Sequence, residues 1–193
     1  MILSNLEIQK ALDEGRLILD PEPQPRTPEH GSTYCPYNGH SLDLRLYNQV
    51  KRPIGGPFNY DLMESGSLPN LIAAHSEDYT LTERQPYQLK TGEFILGRTL
   101  EWVELPTKQT PYLAARIEGK SSRARCGVLV HFTAPTVHPG WRGSLTLEMI
   151  NLGPTTFILR PEMPIPQLIV EQVHGDVLLT PGQFNNQSTP EGL

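Results

Sequence analysis

From residue 79 onward the chain alternates apolar and polar positions in short runs punctuated by glycine and proline. Successive side chains on a β-strand point to opposite faces, so a period of two predicts strands half-buried against a core. Predicted strands cover residues 87–89, 93–99, 101–105, 112–117, 128–132, 144–151, 156–159, 165–173 and 177–179. Gly92, Gly127, Gly143, Gly153 and Pro161 separate them. Upstream, 17–19 reads as a brief strand, and 41–46 sets Leu42, Leu44 and Leu46 on one face against Asp43 and Arg45 on the other. Asp43 and Arg45 fit either a surface strand pair or a functional pair at an interface. Ser4-Asn5-Leu6-Glu7 has the spacing of a capping box, with Leu3 and Ile8 at staple positions and Gly15 as a stop. One short N-terminal helix follows from that pattern.

Many short strands, with many of the 19 Pro and 16 Gly at their ends, predict an all-β fold, a distorted β-barrel or jelly-roll with the helix attached. A chain of 193 residues is expected to form a single domain, 1–193, with a sizeable core. Residues 20–37 are rich in Pro and polar side chains and read as a loop. Residues 51–78 carry Pro53, Gly55-Gly56-Pro57, Gly66 and Pro69 and read as a loop excursion rather than a second domain. Residues 180–193 are polar and are expected to be a mobile tail.

The formal charge of −5 argues against a dedicated nucleic-acid binder, though a local basic loop can still make a nucleotide site. No apolar run is long enough to span a bilayer, and the N-terminus lacks a basic-then-apolar leader, so no membrane contact and a cytoplasmic location are expected. Two cysteines, Cys35 and Cys126, form no disulfide framework. His75-Ser76-Glu77 is the H-x-E half of a zinc-deaminase signature, but the P-C-x-x-C half is missing, so no zinc and no protein-held metal are expected.

The candidate chemistry lies in 116–151, RIEGKSSRARCGVLVHFTAPTVHPGWRGSLTLEMIN. Its first part packs Lys120, Ser121, Ser122, Arg123 and Arg125 into a turn between apolar strands. Such a turn offers hydroxyl and cationic donors suited to phosphate oxygens. Its last part alternates Leu145, Leu147 and Met149 with Thr146, Glu148 and Ile150, which puts Glu148 on the face opposite the leucines. A carboxylate so placed can carry protons. The plain alternative is a solvated turn and an exposed strand residue.

The strings GKSSRARCG, VHFTA, HPGWRG, LTLEMIN and LRPEMPIPQLIVE, with LSNLEIQKALDEGRL and SLDLRL nearer the N-terminus, resemble the dCTP deaminase family, relatives of the trimeric dUTPases. The resemblance covers most of the chain and implies a dUTPase-like fold. It further implies hydrolysis of dCTP to dUTP and ammonia, in homotrimers with active sites between subunits and with dTTP as an inhibitor. By that resemblance Glu148 is the general acid and base, Ser121 positions the water, and Arg125 holds the water or Glu148. Lys120, Ser122, Arg123 and Ala124 fall in the phosphate-binding loop. Residues 131–134, including Thr133 and Ala134, read the cytosine edge through the backbone. Thr146 and Leu147, just before Glu148, are implied as substrate-binding residues. Trp141 either packs beneath the sugar or simply fills the core. Gln167 matches a nucleotide contact, and Gln187 the tail glutamine that folds over the triphosphate. Mg²⁺ is implied as an ion carried by the triphosphate.

The chain departs from the pattern at Val137-His138-Pro139-Gly140, where many relatives carry Ile-Asp-Pro-Gly. That Asp contacts the sugar 3′-OH, and in dUTPase chemistry it activates water. His138 can bond a hydroxyl but is a poorer base for phosphate hydrolysis. A dUTPase, or a bifunctional enzyme that forms dUMP and releases pyrophosphate, is therefore the alternative. A third reading is a non-catalytic nucleotide-binding module.

Overall fold

The computed structural model describes all residues except 57, 58, 60, 62–67, 180, 181 and 183. The first half of the chain runs α1 (Asn5–Asp13), β1 (Ile18–Asp20), β2 (Tyr37–Asn38), β3 (Ser41–Arg45), β4 (Gln49–Pro53), α2 (Leu68–Ala74), β5 (Ser76–Thr80) and β6 (Tyr87–Leu89). The second half runs β7 (Phe94–Glu104), β8 (Leu113–Gly119), α3 (Ser121–Ala124), β9 (Val128–Leu129), β10 (Thr136–Val137), β11 (Arg142–Asn151), β12 (Phe157–Leu159) and β13 (Pro164–Gln172). One sheet is ordered β5-β4-β7-β11-β9, with β1 also on β7. A second is ordered β10-β8-β13-β3-β2, and β12 pairs with β6. The fold is all-β with a short N-terminal helix, as the pattern predicts, and the sheet paths stay open.

The core lies between the two larger sheets, where Leu42, Leu44, Leu46, Ile95, Leu147, Met149, Leu168 and Val170 are all fully buried. Ser4 caps α1, its Oγ accepting from the Glu7 N–H at 3.3 Å, and Ile8 and Ala11 face the core.

β7 is one strand of 11 residues where two are predicted. The predicted break falls at Leu100, beside Glu101, which is fully buried and accepts from Arg45 N and Nε at 2.8 and 2.7 Å. A bulge between the Ser144–Trp102 and Thr146–Arg98 pairs absorbs the mismatch in register. There Thr99 Oγ1 accepts from Leu145 N at 2.9 Å and donates to Glu101 O at 2.8 Å, replacing ladder bonds that the bulge breaks.

The predicted excursion over 51–78 is framed by regular structure. β4 and β5 pair across it in antiparallel register, and α2 lies between them; part of the segment falls outside the described residues. The predicted strand over 128–132 stops at Leu129, because Phe132 N–H turns to donate to Glu148 Oε2 at 3.0 Å. The predicted strand over 177–179 does not form.

Candidate active site

β11 delivers the acid. Its alternation buries Leu147 and Met149 completely and leaves Thr146 and Glu148 partly exposed on the opposite face. That face floors a cleft of about 870 Å³. Glu148, Thr146, Trp141, His131, His138 and Gln187 line it, with Leu96, Ile117, Phe184 and Glu191 adding to the wall. Trp141 is half-buried, its Nε1 donating to Gly143 O at 3.3 Å, so it serves the cleft and the edge of the core together. No Lys or Arg side chain lines the cleft among the described residues. It therefore presents two carboxyl groups and no ammonium or guanidinium, a setting that suits a nucleoside better than a phosphate.

One end of the cleft is built from 130–137. Phe132 N–H holds one oxygen of Glu148, and the Phe132 ring meets Phe94 edge-on with centroids 5.6 Å apart. His131 Nε2 lies 3.3 Å from Glu118 Oε2, while its Nδ1 is buried without a partner among the described residues. Ala134 lines the cleft; Thr133 is exposed beside it.

The other predicted residues gather elsewhere. Ser121, Ser122 and Ala124 are exposed on α3, and Arg125 caps it with an exposed side chain that forms no hydrogen bond or ion pair with a described residue. None of them lines the cleft of their own chain. Lys120 is an ion-pair partner of Asp43, which is only 1% exposed and also accepts from Asn38 Nδ2 at 3.0 Å. Asp43 is thus not the surface residue that strand alternation suggests; the ammonium of Lys120 closes over it. Arg123 donates through Nε and Nη2 to Pro164 O at 3.3 and 2.8 Å, so its guanidinium is held against β13. Gln167 donates to Gly119 O at 3.0 Å and accepts from Ser41 Oγ at 3.1 Å, which ties it to the same cluster. Leu147, expected beside the substrate, keeps its side chain wholly within the core.

Gln187 is 5% exposed and donates to Ser144 O at 2.7 Å and Thr146 Oγ1 at 3.1 Å. The tail thus packs on β11 of its own chain. Among the described residues no three His, Cys, Asp or Glu side chains converge as a protein-held metal would need. Glu77 of the H-x-E string is bound by Arg52 at 2.5 Å and by the Tyr79 hydroxyl.

A family model described as dCTP deaminase-like matches residues 2–173. The chain belongs to that family. A protein named dCTP deaminase from Marinomonas sp. (strain MWYL1) is 35% identical over 178 residues, 91% of this chain and 85% of the relative. One named dCTP deaminase, dUMP-forming, from Methanosphaera stadtmanae is 34% identical over 176 residues, 88% of this chain and 78% of the relative. The crystal structure of 2′-deoxycytidine 5′-triphosphate deaminase from Agrobacterium tumefaciens superposes with a TM-score of 0.63 at 17% identity. It covers 90% of this chain, which spans 48% of the longer neighbour, and it shows the shared fold.

Within this family fold, three charged residues that the strand pattern does not flag stand near the site. Glu118 holds His131 and pairs with Arg116 at 3.4 Å. Lys51 is 5% exposed and pairs with Asp78 at 2.6 Å and Glu191 at 3.5 Å. Burial works to lower its pKa, but the Asp78 and Glu191 carboxylates outweigh it and hold the ammonium above its ordinary value. Glu191 is itself 7% exposed at the cleft wall. These contacts join segments up to 140 residues apart, so no local periodicity could reveal them.

Proposed function

We propose that the protein is a dCTP deaminase, hydrolysing dCTP to dUTP and ammonia. The observation that carries this reading is the Glu148 carboxylate on the floor of a nucleoside-sized cleft, held at one oxygen by Phe132 N–H and free to reach a bound base with the other. Family membership supplies the substrate class: relatives at about 35% identity carry the name dCTP deaminase.

In the reaction Glu148 takes a proton from water as its oxygen bonds to C4 of the cytosine. The proton passes to N3; Glu148 then carries the remaining proton of the added hydroxyl to the amine, the C4–N4 bond breaks as the C4 carbonyl forms, and the amine leaves as ammonia. A positioned acid–base group of this kind contributes roughly 10²–10⁴-fold to the rate. Ser121 orients the water and Arg125 orders Glu148 or the water. Neither reaches the cleft of its own chain, and both are exposed, so a second copy of the chain presents them. A homotrimer with sites between subunits meets that need. The triphosphate lies toward Ser122, Ala124 and Arg123 on that neighbouring copy, with Mg²⁺ arriving on the triphosphate rather than in a protein cage. Lys120 and Gln167 support that loop from beneath, through Asp43 and Gly119. dTTP competes as an inhibitor, and the protein works in the cytoplasm on pyrimidine deoxynucleotide supply.

Incubating the protein with dCTP and Mg²⁺ while reading ammonia and pyrophosphate tests this directly. Ammonia without pyrophosphate is expected. The dUMP-forming alternative rests on relatives of that name at 34% and 37% identity, and pyrophosphate released along with ammonia would establish it instead. Binding of dCTP without either product would leave only a nucleotide-binding module.

A further inference from the structure

The cleft holds a second carboxylate, and its geometry is as fixed as that of Glu148. Residues 188–193 fold into a tight turn, with Ser188 N–H and Thr189 N–H donating to Leu193 O at 2.7 and 3.0 Å. Leu193 N–H donates back to Thr189 Oγ1 at 2.9 Å. Gly192, at φ +95°, lies so close to Phe184 that a Cβ there would come within 2.6 Å of the ring. The turn docks on β11 where Thr146 Oγ1 donates to Pro190 O at 3.2 Å. Thr146 and Glu148 share a face of β11, roughly 7 Å apart along the strand. Glu191, one residue beyond Pro190, turns Oε1 to Lys51 at 3.5 Å. Lys51 sits in register with Leu96, and Leu96 with Glu148, so ammonium and catalytic carboxylate occupy one row across the sheet.

Glu191 Oε2 is left over. It is buried, lacks a hydrogen-bond partner among the described residues, and belongs to a side chain 6% exposed that lines the cleft. A buried carboxyl oxygen without a donor is costly, and such an atom calls for a ligand donor. With no Lys or Arg on the cleft wall and a carboxylate already in place, a phosphate is the wrong occupant. The nucleoside half of a deoxycytidine nucleotide carries two kinds of donor, the sugar 3′-hydroxyl and the exocyclic amine.

We infer that Glu191 is a substrate-binding residue: its Oε2 accepts a hydrogen bond from a donor on the nucleoside half of the substrate, while Lys51 holds the carboxylate in place. The inference rests on the deaminase reading above. Its test uses full-length protein with Mg²⁺, comparing wild type, Glu191→Ala and Glu191→Gln on dCTP, on 2′,3′-dideoxycytidine triphosphate and, by equilibrium binding, on dUTP. Hydrogen bonds to charged groups imply a roughly 10- to 100-fold fall in kcat/KM on dCTP for Glu191→Ala. If the fall vanishes on the dideoxy substrate, the sugar hydroxyl is the donor. If it persists there but dUTP binding is unchanged, the amine is the donor. Glu191→Gln, which keeps the bulk and an acceptor oxygen, shows the same ligand dependence at smaller size should the alanine variant fold poorly. An equal penalty on all three nucleotides, or none on dCTP, overturns the inference and leaves Glu191 a mere anchor of the tail. Failure of wild-type protein to release ammonia from dCTP removes the deaminase reading itself, which separates the two outcomes.

Discussion

Asp43 is ionisable, 1% exposed, and held by Lys120 and Asn38 on the five-stranded sheet. Removing one member of such a pair strands the other's charge, so Lys120→Met is expected to lower unfolding free energy by about 3 kcal/mol. Exposed Ser122→Ala should stay within about 0.5 kcal/mol. Urea denaturation of the two variants checks this, and an unaffected Lys120→Met would show that Asp43 is not dependent on its partner. Glu22 adds a pH test. The hydrogen bond from Arg26 holds its carboxyl below the usual carboxylate range, partly offset by burial and helped by Tyr37 and Gln24. A depressed folded-state pKa gives stability that is present above the unfolded value, about 4.3, and lost as pH falls through the lower folded value. Glu22→Gln should therefore melt below wild type at pH 7 by roughly 1 kcal/mol, the gap closing in melts below about pH 4. At this scale the sequence was legible where alternation alone decides orientation, as for Glu148 against Leu147. It was not legible for Asp43, because the same alternation that turns Asp43 away from the leucines carries no sign that Lys120, 77 positions later, closes over it.

The turn after α3 crosses the chain just beyond β11 at close range. Gly127, at φ +90°, lies against Gly153, and a Cβ on Gly127 would sit 2.4 Å from Gly153 N. Leu152 N–H donates to Gly127 O at 2.8 Å across the crossing. Two glycines thereby fix the loop of Ser121 and Arg125 relative to the strand of Glu148. Gly127→Ala is expected to cost at least 1–3 kcal/mol from its backbone conformation. It should also reduce deaminase turnover; a variant with native melting temperature and activity would show the crossing to be dispensable. Leu147→Ala, a pure core truncation, should cost about 2–5 kcal/mol in stability while leaving KM near wild type, and a raised KM with unchanged stability would restore its expected role beside the substrate. Strand identities were readable because half-buried strands print a period of two. The continuity of β7 was not, since the predicted break at Leu100 is spanned by a strand that buries Glu101 against Arg45, a partner distant in sequence.

For the whole molecule, the cleft carrying Glu148 and the exposed helix end carrying Arg125 belong to separate surfaces of one chain. The proposed trimer unites them, so Glu148→Gln and Arg125→Ala should each be inactive alone and regain activity when co-refolded together. No recovery would argue for a site completed within one chain. The family fold was legible from ordered motifs along the chain, whereas the burial of the tail by Lys51 and Glu191 depends on contacts that only the folded chain makes. The central claim is that Glu148 carries the protons of deamination, and ammonia release from dCTP by wild type and by Glu148→Gln measures it most directly. The account predicts steady ammonia release by wild type and a loss of at least about 100-fold in the variant; full release by Glu148→Gln at wild-type rate would contradict it.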